Sequence, residues 1–449
     1  MNFIHHPLIP YDPEVVLYFA GGSVLLPFEY TGWQDEVMSY KESCYISHSL
    51  NPMPTFRVKG RDAVEFLSRV CVNDFERFPV GTGKHAIMCN EQGLDMGDGV
   101  MLRLAEDEFI SYEMGCNYIA YAFETGEWGA SGDTVGEILS GKVFLYQIAG
   151  PRSLELLEAA TGDDLHDIKF MHHRHSTVAG RDVNVVRVGM AGTLAYELHG
   201  TAEDGIAVYE AVLAAGHDYG LRRLGFRAYT MNHTEDGFPQ AFMHFPHPWL
   251  EDKDVIDWQW SVGEKSRQGR LCKGSMGPDL SLRYRNPVEL GWANRIAFNH
   301  DFVGRAALEK EVAHPRRTMV TLVWNPDDIL DVYASKFQPG EPYASLDKPN
   351  HVLEGGPLLC YSADQVLDGD GRLVGISSGR TYSYYYRAML SLCSIDVAYG
   401  DLGTEVAVLW GDPGTRQKKI RATVSRFPYL NLERNESIDV EVIPRQPSR

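Results

Sequence analysis

Positive charge is scarce in this chain of 449 residues. Its 42 lysines and arginines stand against 61 aspartates and glutamates, a net charge of -19. Nucleic-acid binding relies on basic patches that neutralise phosphates, and none stands out, so no nucleic-acid partner is expected. Long apolar runs are missing too. No stretch approaches the roughly 20 residues that cross a bilayer, so no membrane association is expected. Residues 1–10 carry histidines and prolines where a secretory signal would need a basic segment and an apolar core. The seven cysteines (Cys44, Cys71, Cys89, Cys116, Cys272, Cys360 and Cys393) include no C-x-x-C pair and are odd in number. That usage predicts free, buried thiols in a reduced, cytoplasmic protein. No internal repeat or low-complexity run is present.

Two further absences concern motifs. Gly81-Thr-Gly-Lys84 lacks the upstream glycine of a phosphate loop. Residues 136–142 end in Gly-Lys but continue with Val143 and a strand-forming run, where the motif needs Ser or Thr opening a helix. No nucleotide-phosphate site is expected. The densest histidine group, residues 171–175, has no cysteine or acid at ligand spacing and reads as an exposed polar turn. His5, His6, His244 and His247 are treated in the same way, and no metal site is expected.

What is present is an ordinary globular composition, 44% hydrophobic and 11% aromatic, long enough for two to four domains. A strand is predicted at 55–60, then a helix from about Arg61 with Ala63, Val64, Leu67, Val70 and Cys71 at helical spacing. Residues 84–90 read as a strand, 91–99 as a turn and 100–104 as the returning strand. Further strands are expected at 143–148 and 183–188. Residues 201–204, Thr-Ala-Glu-Asp, have the form of a capping box before a helix that runs to about Ala215. A turn feeding a helix is read at 299–308. After Pro315 the texture changes: a strand at 319–324, a long Pro/Asp/Gly-containing excursion at 325–357, then strand–turn units that predict an all-β C-terminal module. The fold class is α+β.

The densest chemistry lies at residues 225–238, Gly-Phe-Arg-Ala-Tyr-Thr-Met-Asn-His-Thr-Glu-Asp-Gly-Phe. A tyrosine and a histidine beside carboxylates are the ingredients of acid–base work. The same residues also suit a polar connection that only satisfies turn backbone. Glu197 lies on a predicted strand with Tyr196 and Leu198 on the opposite face by period-two alternation. Its carboxylate is either a surface group or a double acceptor for an amidine-like heterocycle edge.

Residues 56–63 with Asn73-Asp74, 90–93, 147–151, 189–198, Arg227 with Glu235 and Gly237, and 301–308, taken in order, resemble the tetrahydrofolate-binding aminomethyltransferase (glycine-cleavage T-protein) superfamily. Gly97-Asp98-Gly99, Arg227-Ala228-Tyr229 with Glu235, Trp324-Asn325 with Asp327-Asp328, residues 333–335, 382–384, 408–411 and 424–429 make the chain most similar to the branch of tetrahydrofolate-dependent aryl O-demethylases and sesamin methylene transferases.

The resemblance implies a three-domain cloverleaf around a central folate channel. Domain 1 would comprise residues 1–55 and 142–224, domain 2 residues 56–141 and 225–314, and domain 3, barrel-like, residues 315–449. It implies tetrahydrofolate as co-substrate, with Glu197 on the pterin edge and Asp98, Gln147, Tyr196, Arg227 and Phe238 completing the cofactor site. Tyr229 would handle the proton, with His233 second, as folate N5 attacks the ether carbon and a phenolate departs. An ordinary tyrosine pKa of about 10 matches a phenol.

Two departures bear on substrate. Gly97 stands where the T-protein has an aspartate, which counts against aminomethyl transfer and its lipoyl carrier partner. Residues 112–118 lack the arginine that grips an aromatic acid and hold Glu113, and Asn51-Pro52 replaces a histidine pair. A neutral aryl ether is therefore expected, with methylenedioxy lignans such as sesamin as candidates, giving 5-methyl- or 5,10-methylenetetrahydrofolate. The alternatives are an O-demethylase acting on an aromatic acid such as vanillate or syringate, a glycine-cleavage aminomethyltransferase, and a non-catalytic folate-binding assembly factor.

Overall fold

The computed structural model describes residues 4–5, 7–21, 24–48, 51–126, 129, 131–263, 270–347 and 359–445. Four sheets organise them. A small sheet joins Ile4–His5, Leu17–Gly21 and Val24–Glu29. A six-stranded sheet runs His173–Val178, Arg181–Val186, Ala195–Thr201, Val143–Ala149, Cys44–Ser47, Leu221–Arg223. A five-stranded antiparallel sheet runs Gly83–Cys89, Asp95–Ala105, Glu108–Glu113, Thr55–Lys59, Val135–Ile138.

The fourth sheet closes on itself. Leu359–Leu367, Leu373–Ser383, Ala388–Asp396, Arg317–Trp324, Lys418–Ser425 and Glu405–Trp410 pair in that order, and the last pairs back onto the first. This six-stranded barrel is the all-β module expected after Pro315. Its pattern is legible in Lys418–Ser425, where Ile420, Ala422 and Val424 are buried while Lys419, Arg421 and Thr423 are exposed. Each large apolar residue turned inward contributes about 1.5–3 kcal/mol of burial. The strand Arg270–Lys273, far earlier in the chain, adds parallel to Leu359–Leu367, so the segment 225–314 reaches into the barrel.

Local periodicity holds where an element has one buried face. The helix Ala63–Val70 buries Ala63, Phe66, Leu67 and Val70. It fails in four places. The strand Asp95–Ala105 begins inside the expected 91–99 turn. Its glycines hide the alternation, and Gly99 is needed because a Cβ there would meet the Tyr112 carbonyl oxygen at 2.0 Å. The expected capping box is not one, since Thr201 Oγ1 donates to Asp204 Oδ2 at 3.0 Å and no backbone N–H is capped. A short 3-10 turn precedes the helix Gly205–Gly216 there. The excursion after Trp324 contains the helix Pro326–Ala334, capped by Asn325 Oδ1 on the Asp328 N–H at 3.1 Å with proline in its first turn. Residues 348–357 of that excursion lie outside the described residues.

The fourth case positions the site. Residues 225–238 are not a connection but the helix Phe226–Asp236, closed by Gly237 at φ 64. Its residues 228–236 are all buried, polar ones included, because it packs against the helix Trp33–Glu42, the strand Val24–Glu29 and the barrel strand Leu373–Ser383. A helix enclosed on every side shows no apolar stripe.

Candidate functional site

The six-stranded sheet sets Gln147 directly opposite Glu197. Tyr45 donates its hydroxyl to Gln147 Oε1, which turns the amide so that Nε2 faces Glu197 Oε1 at 3.5 Å. His199, two residues along the same strand face, has Nε2 2.9 Å from Glu197 Oε2, and a carboxylate there requires the hydrogen on Nε2. Both oxygens are thus backed by N–H donors, and the 2% exposed carboxylate borders a cavity of about 350 Å³. Tyr196 points the other way, into the core behind the sheet with Val208 and Val212, and does not reach the cavity.

The five-stranded sheet contributes Asp98 and His85, with His85 Nε2 2.9 Å from Asp98 Oδ2. Burial pushes the Asp98 carboxyl up, but hydrogen bonds from His247 and His85 outweigh it and hold the pKa at about 2. Phe238 and Gln240, just after the buried helix, form another part of the wall, and Phe238 lies 5.4 Å from the His85 ring. Met53, Met114, Met171, Met190, Val100, Val188 and Phe170 make most of the remainder. The last part comes from Arg434, Asn435 and Glu436, where the chain returns from the barrel. It is anchored there by the buried Arg187, which donates through Nε to Asn435 Oδ1 at 3.2 Å and through Nη2 to the Asn435 carbonyl at 2.8 Å.

Tyr229 stands one side chain behind this wall. Its hydroxyl accepts from Gln240 Nε2 at 2.8 Å, which leaves its own hydrogen free to be donated. Burial drives its pKa well above the usual phenol value, the Gln240 bond opposes this, and the Glu197 and Asp98 charges add to the rise, so the phenol stays protonated. His233 is fully buried, with neither ring nitrogen hydrogen-bonded, and packs edge-on to Tyr229 at 5.0 Å. Burial lowers its pKa to about 3, with His244 adding to the fall, so it is a neutral ring behind the wall.

Arg227 is not brought to this cavity. Its Nη1 pairs with Glu29 Oε1 at 2.6 Å, its guanidinium lies over Trp33, and it borders a separate cavity of about 670 Å³ with Trp324 and Tyr382. Glu113 does not face a ligand either. It accepts from the Tyr118 N–H at 2.8 Å, at the start of the helix Tyr118–Thr125, and does not border the cavity.

His247 is no surface histidine. It is fully buried beside Asp95 and Asp98, and ligating atoms of the three lie within 4.8 Å of one another. Trp249 Nε1 donates to His247 Nδ1 at 3.1 Å, so Nε2, which faces the acids, carries the hydrogen and has no lone pair for a metal. As site residues, Asp95, His85, Tyr45, His199, Gln240 and residues 434–436 went unread in the sequence, and His247 was read there with the exposed polar histidines. Only His199 carried a local signal, its period-two spacing from Glu197.

A family model described as the GCVT N-terminal domain matches residues 17–243. A sesamin methylene transferase from a Sinomonas species is 45% identical over 94% of this chain and 94% of its own length. The chain belongs to the GCVT aminomethyltransferase family. Another relative within it, a syringate O-demethylase from a Sphingobium species, is 31% identical over 92% of each chain. The glycine cleavage system aminomethyltransferase T of Bartonella henselae shares the fold, with a TM-score of 0.70 at 18% identity over 96% of this chain and 99% of that one. GCVT proteins use tetrahydrofolate as co-substrate.

The residues present fit that molecule. A pterin offers an N–H and an amino group side by side, and Glu197 presents a rigidly backed carboxylate to the cavity. Gln240 Oε1 is a further buried acceptor without a protein donor among the described residues. The cavity volume lies in the usual range for small-molecule sites of roughly 300–1,000 Å³.

Proposed function

We propose that the protein is a tetrahydrofolate-dependent one-carbon transferase that cleaves an aryl methyl or methylenedioxy ether, with a neutral aromatic of the methylenedioxy lignan class as substrate. The observation that carries this reading is the cavity wall. The backed Glu197 carboxylate suits the folate, and thioether, aliphatic and aromatic side chains make most of the remaining wall, with Asp98, Arg295 and residues 434–436 as its polar part. The 45% identity to a sesamin methylene transferase supports the same reading.

When bound, tetrahydrofolate supplies the amine nitrogen that accepts the carbon unit. In this reading it occupies a central channel among three domains made by residues 1–55 with 142–224, 56–141 with 225–314, and 315–449. Glu197 holds the pterin edge through both oxygens, with Gln147 and His199 fixing its plane. Phe238 gives the ring an apolar face. Tyr229 keeps its proton at Oη until the ether oxygen departs, and Gln240 orients that hydroxyl. Most of the acceleration comes from holding the reacting atoms in line, which in favourable cases is worth about 7–11 kcal/mol.

A second reading, an O-demethylase for aromatic acids, is favoured by Arg295 and Arg434 in the wall, either of which could pair with a carboxylate. It also has the 31% identical syringate O-demethylase behind it. Incubation with tetrahydrofolate and a panel of guaiacol, vanillate, syringate and a methylenedioxy lignan, with the folate product identified by mass, separates the two. One-carbon transfer from the lignan is expected. Transfer from the acids alone would favour the second reading, and no transfer from any ether would overturn both.

A further inference from the structure

Behind Asp98 the cavity wall contains a buried group with no role in the chemistry above. Asp95 and Asp98 sit on the strand Asp95–Ala105, and His247 reaches them from the segment that follows the buried helix. The three are 0%, 4% and 0% exposed. His247 Nε2 lies 3.4 Å from Asp95 Oδ2 and 3.8 Å from Asp98 Oδ1, and none of these atoms has another partner among the described residues. Because Trp249 donates to Nδ1, an imidazolium would set two N–H groups against each other at 3.1 Å. His247 is therefore a neutral ring whose one hydrogen points between two carboxyl groups.

Two ionised carboxylates cannot share such a site at low cost, so one keeps a proton. Their surroundings are unequal. Asp98 receives a second N–H from His85 Nε2 at 2.9 Å. Asp95 receives only the Gly97 N–H, on Oδ1 at 3.2 Å, and is the more deeply buried.

We propose that His247 and Asp95 form a buried proton-holding pair that fixes Asp98 as the ionised carboxylate of the cavity wall. The directions agree for the acids. Burial raises Asp95 above the usual carboxyl range, whereas hydrogen bonding from the two histidines lowers Asp98 below it. For His247 burial works against protonation, yet the two acids draw it up to about 9. A protonated Asp95 removes its own share of that pull, and the indole closes Nδ1. The other titratable groups facing the cluster are His85 and Cys89 on the strand Gly83–Cys89, and Tyr229 and His233 on the buried helix. A carboxyl held at about 2 is a poor base but a persistent negative charge. It stabilises positive charge as it develops on an alkylated amine, so His247 and Asp95 are positioning residues for that charge. This role rests on the one-carbon reading above, whereas the protonation pattern does not.

Imidazole ¹⁵N and aspartate ¹³C carboxyl NMR on the folate-free protein tests the pattern without activity. The expected result between pH 5.5 and 8.5 is a single Nε2–H tautomer for His247, an ionised Asp98 and a protonated Asp95. A doubly protonated His247, an ionised Asp95, or a stoichiometric bound metal in elemental analysis would overturn the proposal. In pH profiles of kcat/KM, His247→Phe should move the acid limb up by about one unit, while His247→Gln, which keeps an N–H near Nε2, should restore it. An unshifted limb in His247→Phe would count against the pair. Loss of all one-carbon transfer with the NMR pattern intact would remove the proposed function and leave the proton pair standing.

Discussion

Glu197 meets the cavity with its plane fixed from behind, and that is what distinguishes a ligand-holding carboxylate from a surface one. With Gln147 on one oxygen and His199 on the other, little orientational freedom remains to be lost on binding. Glu197→Gln turns one of those oxygens into a donor facing donors, on both the protein and the ligand side. Calorimetry should show tetrahydrofolate binding weakened by about 2–3 kcal/mol, the range for hydrogen bonds to a charged group. Tyr229→Phe removes the only hydrogen available at Oη and leaves the Gln240 N–H without its acceptor. Steady-state kinetics should show kcat reduced by about 10²–10⁴ with little change in folate KM. At this scale the resemblance marked Glu197 and Tyr229, but it also marked Arg227 and Tyr196. Which way a side chain turns depends on what packs behind it: Glu29 and Trp33 hold Arg227, and the core behind the six-stranded sheet takes Tyr196.

The helix Phe226–Asp236 concentrates more unpaired buried polarity than any other element described above. Asn232, His233 and Asp236 all have side-chain atoms without a hydrogen-bond partner. Asp236 is fully buried, and burial raises its carboxyl pKa well above 3.8, an effect that Lys41 opposes and Glu235 strengthens. The sign follows from linkage. Between the ordinary carboxyl value and the raised one, the folded state holds a proton that the unfolded state has released, so stability falls as pH rises through that window. Asp236→Asn removes the titration and nearly preserves the shape. At pH 7.5 it should therefore be more stable than wild type by about 1–3 kcal/mol in urea unfolding, with the advantage shrinking as the pH falls and gone by about pH 4. No advantage at pH 7.5 would mean that the carboxylate has a partner there. This helix was opaque in the sequence for the same reason that it is polar: with no solvent face it has no amphipathic signature, and only Gly237 marked its end.

Over the whole molecule, the cavity beside Glu197 is walled by parts distant in sequence. Residues 434–436 return from the barrel and are pinned by Arg187. Asn435→Ala removes the acceptor of a buried guanidinium N–H and also the Nδ2 donor to the Ala195 carbonyl at 3.1 Å. It should cost about 2–3 kcal/mol in urea unfolding and weaken folate binding in the same calorimetric assay. By itself the sequence determined the α+β class, the barrel strands, the amphipathic helices and the family, because each rests on local periodicity or on blocks whose order the chain preserves. Tertiary structure alone decided that residues 226–236 are a helix, that Tyr229 stands behind Gln240, that Arg227 and Glu113 face away, and that His247 and Asp95 stand behind Asp98. Those outcomes depend on burial and on partners that range from 5 residues away for Glu113 to 198 for Arg227, and no local pattern records them.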